Sequence, residues 1–181
     1  LNEDKDDIVR ENVAENPKTG SLTLEEMAEH DAVIDVKLAA LGNPNIPTRV
    51  IHRMAAGTGK RVRETIAGNI STPKTILMKS ARDRDTNVAY NVACNPNVPR
   101  EALTILAERR NIGILVAVVR NKNTPEEALA KLARNNNRNL RLLIAEHENT
   151  SRETLEFLLL KAVKEADQKL AETVRLALAK Q

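Results

Sequence analysis

The chain has 181 residues, 41% hydrophobic and 29% charged, with a net charge of +3; that balance is globular and excludes a disordered chain. Its one cysteine, Cys94, excludes an internal disulfide and any cysteine-based metal cluster, and fits a reducing, cytoplasmic compartment. No apolar run reaches the roughly 18 residues that a membrane span needs, so no membrane association is expected. With one Tyr, one Phe and no Trp, the core must be built from Leu, Ile, Val and Ala, which suits thin layers of closely spaced helices.

The charge is unevenly spread. Residues 1–46 hold 4 Lys and Arg against 11 Asp and Glu, residues 47–146 hold 18 against 8, and residues 147–181 hold 6 of each. The first stretch is therefore acidic and the middle basic, a signal about partners.

A corner recurs along the chain: Asn43-Pro44-Asn45-Ile46-Pro47, Ile70-Ser71-Thr72-Pro73, Asn95-Pro96-Asn97-Val98-Pro99, Asn121-Lys122-Asn123-Thr124-Pro125 and His147-Glu148-Asn149-Thr150-Ser151. Pro47, Pro73, Pro99, Pro125 and Ser151 stand 26 residues apart, and a fixed period of that size marks a stacked repeat. Each corner residue has an expected local role. Asn tolerates the left-handed backbone that ends a helix. Thr72, Thr124 or Thr150 caps the next helix by accepting an orphan N–H. Proline occupies the first helical position, where its missing N–H costs nothing, and Glu101, Glu127 and Glu153 place negative charge in the first turn.

In chain order, the polar stretch 2–7 is expected to fray. Residues 8–19 hold the second half of a repeat (Ile8, Val9, Val13, Ala14) and its corner. Complete repeats follow over 20–46 (with one residue inserted), 47–72, 73–98, 99–124 and 125–150. Within each, apolar residues fall at helical spacing, as in Ala102, Leu103, Leu106, Ala107 and then Ile114, Val118, Val119. Each repeat is thus read as two helices of about 8–10 residues, too short to stand alone. Residues 151–181 lack the polar break between helices and read as a C-terminal cap. The expected architecture is one all-α solenoid over 1–181 made of 26-residue two-helix repeats. Leu1 is not an initiator Met, which points to a processed or engineered start.

The unit Asn-x-Asn-Thr-Pro-x-Glu-x-Leu-x-x-Leu-Ala, followed by a Val-Arg-like step at Arg10, Arg63 and Arg141, resembles the bacterial variant leucine-rich repeat family. More broadly it resembles HEAT-type helical repeats, and the likeness covers roughly residues 8–160. The resemblance implies a right-handed superhelix of paired helices, the second of each pair open to a tight 3₁₀ form. Two features depart from the family: the period of 26 is longer than its usual unit, and no cysteine cluster is present for the iron–sulfur module of one branch.

Candidate chemistry is sparse. Ala55-Ala56-Gly57-Thr58-Gly59-Lys60-Arg61 has the flavour of a phosphate loop but carries Met54 and Arg61 where Gly and Ser/Thr are needed. It falls where other repeats turn between helices. Asp83-Arg84-Asp85-Thr86-Asn87 starts like a calcium loop, yet Val88 and Cys94 stand at the required Gly and Glu positions, so it too reads as a turn, with Asp85 or Thr86 as cap. His30, His52 and His147 occupy unrelated repeat positions, and Cys94 reads as a small space-filler. No catalytic set, metal or cofactor is expected, and the protein is read as a non-enzymatic binding or scaffold module.

Two surface features carry partner expectations. Lys60, Arg61, Arg84, Arg109, Arg110 and Arg138 belong to a basic set near the inter-helix turns that also includes Arg82, Lys122 and Arg134; aligned by stacking, they could track phosphates of a nucleic acid or other polyanion. The lack of aromatics argues against base stacking. The other feature is a row on the second helices, Leu38, Glu64, Tyr90, Val116 and Leu142, with Leu115 beside it. As the floor of a concave face it would bind a protein or peptide, with Arg63, Arg120 and Arg141 as polar anchors.

Overall fold

A computed structural model of the protein describes residues 4–57 and 59–180. Thr58 and part of the stretch expected to fray lie outside the described residues. Among the described residues the chain forms thirteen α-helices and no strand. These are α1 (Asp7–Glu15), α2 (Ser21–His30), α3 (Ile34–Gly42), α4 (Thr48–Met54), α5 (Lys60–Gly68), α6 (Lys74–Ser80), α7 (Thr86–Cys94), α8 (Arg100–Leu106), α9 (Ile112–Arg120), α10 (Glu126–Leu132), α11 (Arg138–Glu146), α12 (Arg152–Lys164) and α13 (Gln168–Leu178). They fall into two compact units divided between Asn97 and Val98, beside the repeat boundary expected at 98.

The fold is all-α and solenoid-like. First helices α4, α6, α8 and α10 have 7 residues, slightly fewer than expected, because a proline fixes each start and an alanine each end. Second helices α3, α5, α7, α9 and α11 have 9. They are α-helices, so the 3₁₀ form that the family resemblance allowed is not adopted. In the first unit α1, α3, α5 and α7 stack in order while α2 packs on α3 and α4; in the second, α9, α11 and α13 stack and α12 lies on α13.

The stripes are the cores. Leu24, Val36, Leu41, Ile51, Ile66, Leu77, Val88 and Val92 are buried in the first unit, and Leu103, Leu106, Ile114, Val118, Leu129, Leu140, Ile144 and Leu158 in the second. Each such aliphatic side chain is worth about 1.5–3 kcal/mol when fully buried, which is what holds two-turn helices in place.

The corner works differently from its sequence reading. Asn43, Asn69, Asn95 and Asn121 end their helices with φ between −67° and −80° and ψ between 120° and 132°, extended and not left-handed. The only non-glycine positive φ among the described residues is at Ala166. What the site needs is the asparagine side chain. Asn69 is buried; its Nδ2 donates to the carbonyls of Leu41 (2.6 Å) and Asn43 (3.0 Å), and its Oδ1 accepts from the Ser71 N–H (2.7 Å). Asn43 makes the same three bonds to Ala14, Asn16 and Asn45, and Asn95 to Ala67, Asn69 and Asn97. Each rung thus donates to the carbonyl of the rung before it.

In the second unit His147 takes the same position. Its Nδ1 accepts from the Asn149 N–H (3.0 Å), which leaves Nε2 as the donor to the Asn121 carbonyl (3.1 Å). An outer ladder runs alongside: Asn45 to Pro17, Ser71 to Pro44, Asn97 to Ile70 and Asn149 to Lys122, all onto backbone carbonyls.

Thr72, Thr124 and Thr150 also reverse their expected role. Each hydroxyl donates backward to the carbonyl six residues earlier, at Ile66, Val118 and Ile144, closing the preceding helix; α6 and α10 are left without a side-chain cap. The prolines sit one position earlier than expected, at the cap with ψ from 134° to 154°. Ser151, lacking the proline ring, caps α12 through its side chain. Glu101, Glu127 and Glu153 do lie in first turns.

Replacing Asn69 by Ala should cost about 2–4 kcal/mol, since it strands two buried carbonyls and one N–H. Asn69→Asp, which has the shape but not the donors, should cost at least as much, and Asn45→Ala on the exposed ladder less than about 1 kcal/mol. Urea unfolding of the three variants measures this order.

Candidate binding surface

At the inter-helix turns the chain spends several of its charges on itself. Asp31 and Asp83 open their turns by accepting the N–H two residues on, from Val33 and Asp85. Each also receives an arginine from the second helix of the preceding repeat: Arg10 Nε lies 2.8 Å from Asp31 and Arg63 Nε 2.7 Å from Asp83. The hydrogen bond from Arg10 holds the Asp31 carboxyl below the usual range against the opposing effect of burial. For Asp83, burial pushes upward, but Arg63 and the Asp85 N–H outweigh it and the net direction is down. Arg141 does the same in the second unit, reaching Glu165 and the Asn135 carbonyl.

Other basic residues are paired as well. Lys60 bridges Asp85 and Glu64, Arg61 meets Asp35 at 2.5 Å, and Arg138 holds Asp167 through two bonds of 2.6 and 2.7 Å. Arg138 and the Leu170 N–H draw the Asp167 carboxyl downward. Arg84, Arg110 and Arg120 are exposed and Arg109 half-buried. Of the residues expected to contact phosphate, Lys60, Arg61 and Arg138 therefore each already face a carboxylate.

The expected partner face divides similarly. Leu115 is 4% exposed and Arg141 3%: the first lies in the core of α9, the second is closed under its ion pair, and neither is on a surface. Arg63 belongs to the seam with Asp83. What remains open is the row itself. Tyr90 on α7 is 45% exposed, Leu38 and Glu64 are half-buried on α3 and α5, and Val116 and Leu142 are half-buried on α9 and α11. Asn91 beside Tyr90 donates to the Glu64 carbonyl at 2.9 Å, fixing α5 against α7.

The motif-like stretches are turns. Residues 55–57 and 59 lie between α4 and α5, and Asp85 caps α7 by accepting from Asn87 and Val88. His30 and His52 are exposed. Cys94, expected to fill space, is exposed at the end of α7. No group of three His, Cys, Asp or Glu side chains among the described residues could hold a metal ion, and no helix there is long and apolar enough to cross a membrane. The Arg–acid seam escaped the sequence reading, although a signal existed: Arg10 and Arg63 each precede an aspartate by 20 or 21 residues, and where Leu115 stands in place of Arg the corresponding turn carries Asn135.

Seams of this kind, repeated helix pairs and an aliphatic core in each unit define an all-α repeat solenoid. Within that class, the chain is similar over 99% of its length to a solved leucine-rich repeat variant with a novel repetitive structural motif, at 26% identity and a TM-score of 0.64, covering 67% of that chain. This agrees with the resemblance carried by the corner and the Val-Arg-like step. Two designed armadillo repeat proteins, one of them computationally designed for modular peptide recognition, also match. They do so at 14% and 15% identity over 98% and 96% of this chain and 95% and 92% of theirs, with TM-scores of 0.36 and 0.34. No family model and no curated protein matches the chain.

The pairs predict the acid response. A carboxylate of ordinary pKa ~3.9 when unfolded and lower when folded contributes stability above that value and loses it as pH falls through the folded value. Melting temperature should therefore drop steeply below about pH 4. In a triple variant Asp31→Asn, Asp83→Asn, Asp167→Asn the drop should be shallower. Thermal melts from pH 7 to pH 3 provide the comparison; equal slopes would contradict the assignment.

Proposed function

We propose that the protein is a non-enzymatic binding scaffold that holds a protein or peptide partner on the side lined by its second helices. One observation carries this reading. The stripe positions of α7, α9 and α11 are buried almost completely, as for Val88, Ile114 and Leu140, whereas Tyr90, Val116 and Leu142, which share one frame position two residues further on, remain partly open to solvent.

Packing supports the choice of side. In each unit the second helices approach one another more closely than the first helices do, and a stack curves toward its closely spaced side. A concave floor of Leu38 and Tyr90 in the first unit, and of Val116 and Leu142 in the second, suits an extended or helical segment with apolar side chains at intervals. Arg120, exposed at the end of α9, is the charged anchor that remains from the expected set. Tyr90 supplies the amphipathic contact favoured at the centre of interfaces.

A Tyr90→Asp, Val116→Asp variant should keep the helical circular-dichroism spectrum and melt within a few degrees of the parent. Selected from a random-peptide display library, the parent should yield binders that the variant loses by at least tenfold in affinity. Binders retained undiminished by the variant would place the partner elsewhere.

A further inference from the structure

Ion pairs join some first helices to those of the next repeat, and at one step the cation stands without the acids. Between α2 and α4, Arg49 and Arg53 hold Glu25, and Arg53 also reaches Glu29 at 2.5 Å. The same frame positions carry Glu108 and Lys131, paired at 2.9 Å in the second unit. One repeat after α2, counting the inserted residue, the positions of Glu25 and Glu29 are His52 and Ala56, while that of Arg53 is still a cation, Lys79. The frame is secure here because Leu24 and Ile51, which precede these positions, are both fully buried. Between α4 and α6 the cation therefore stays and its carboxylates are gone.

At that step lies a cleft of about 590 Å³, within the range of small-molecule sites. Its floor is Ala55, Ala56, Ile66 and Ile76, and Thr75 and Ser80 bring hydroxyls to it. Lys79, Arg82 and Arg84 line it from α6 and the turn that follows, and His52 from α4. Arg63 and Asp83 form its back wall, already joined to each other. Four cationic side chains thus surround a single carboxylate, and that one is neutralised by Arg63.

We propose that the cleft between α4 and α6 binds a phosphate monoester, whose oxyanion takes the place of the carboxylates that Glu25 and Glu29 supply between α2 and α4 and Glu108 between α8 and α10. Lys79 and Arg84 hold the phosphate, Arg82 and the hydroxyls of Thr75 and Ser80 complete its hydrogen bonds, and the alkyl floor receives the ester's carbon group. The site is separate from the second-helix face and stands or falls independently of it.

Inorganic phosphate titrated at constant ionic strength, and followed by amide chemical shifts, tests this. Saturable shifts are expected at residues 52–56 and 75–84, with affinity at least tenfold weaker in Lys79→Ala, Arg84→Ala and unchanged in Arg134→Ala. Ala56→Glu, which restores the acid that the frame carries at Glu29 and Glu108, should abolish binding while raising the melting temperature. Glucose 6-phosphate and a phosphoserine peptide then tell a free small molecule from a phosphorylated side chain, and each should bind more tightly than inorganic phosphate. Absence of saturation, or equal affinity in the parent and both cleft variants, would overturn the proposal.

Discussion

The buried side-chain amide at the corner is the interaction on which the rest depends. A stack of short helices must end one helix in every layer, and each end leaves carbonyls turned toward the next layer. One amide resolves both sides of that joint: two N–H donors for carbonyls of the preceding layer and one oxygen for the N–H of its own turn. Because Asn69 donates to the Asn43 carbonyl, and Asn95 to that of Asn69, the position of each rung is set by the one before. The repeat length is tolerant, but the rung is not. Asn16 and Asn43 are 27 residues apart instead of 26 and the bond is still 2.9 Å, since the extra residue is absorbed in α2, which has 10 residues where α4, α6, α8 and α10 have 7. Imidazole is the one other side chain here that offers an acceptor and a donor at suitable separation, and His147 uses it so.

A second seam follows from the first. With layer spacing fixed by the amides, an arginine on one second helix lies opposite the turn of the next repeat, where a carboxylate can both cap its own turn and receive the guanidinium. Burying either partner alone would be costly, so Arg63 and Asp83 belong together, as do Arg10 and Asp31. Where the arginine is absent the acid is absent too, and Leu115 fills the space with aliphatic carbon. Charge that looks like a functional surface in a linear sequence is in large part structural cement between layers.

That explains what could and could not be read beforehand. The period, the helix pairs, the apolar stripes and the atypical last repeat are local patterns, and proline and helical spacing reveal them directly. The backbone at Asn69 and the direction of the Thr72 hydroxyl are not local. Asn is equally suited to a left-handed end and to a side-chain bridge, and a hydroxyl can accept forward or donate backward; the deciding partner for Asn69 is 26 residues away. The same limit applied to the site residues. Arg141 and Tyr90 both stood on second helices in the sequence, yet one is closed under Glu165 and the other open, because burial depends on what the following turn contributes.

Function should then be sought where a layer departs from what its joints require. Most positions are committed: the rungs to carbonyls, the stripes to the core, the turn acids to arginines, and the first-helix acids to the cations of the next repeat. Two departures remain after that subtraction. On the second helices, the frame position of Tyr90 is partly open in each complete repeat, at Leu38, Glu64 and Tyr90 in the first unit and at Val116 and Leu142 in the second. On the first helices, a single step has lost its carboxylates and kept its cation. A purely structural drift would be expected to lose both members of an ion pair, since an unpartnered lysine beside further arginines is repulsive. Lys79 stands there beside Arg82 and Arg84 with no acid at either frame position, which is the positive charge that the proposed anion would meet.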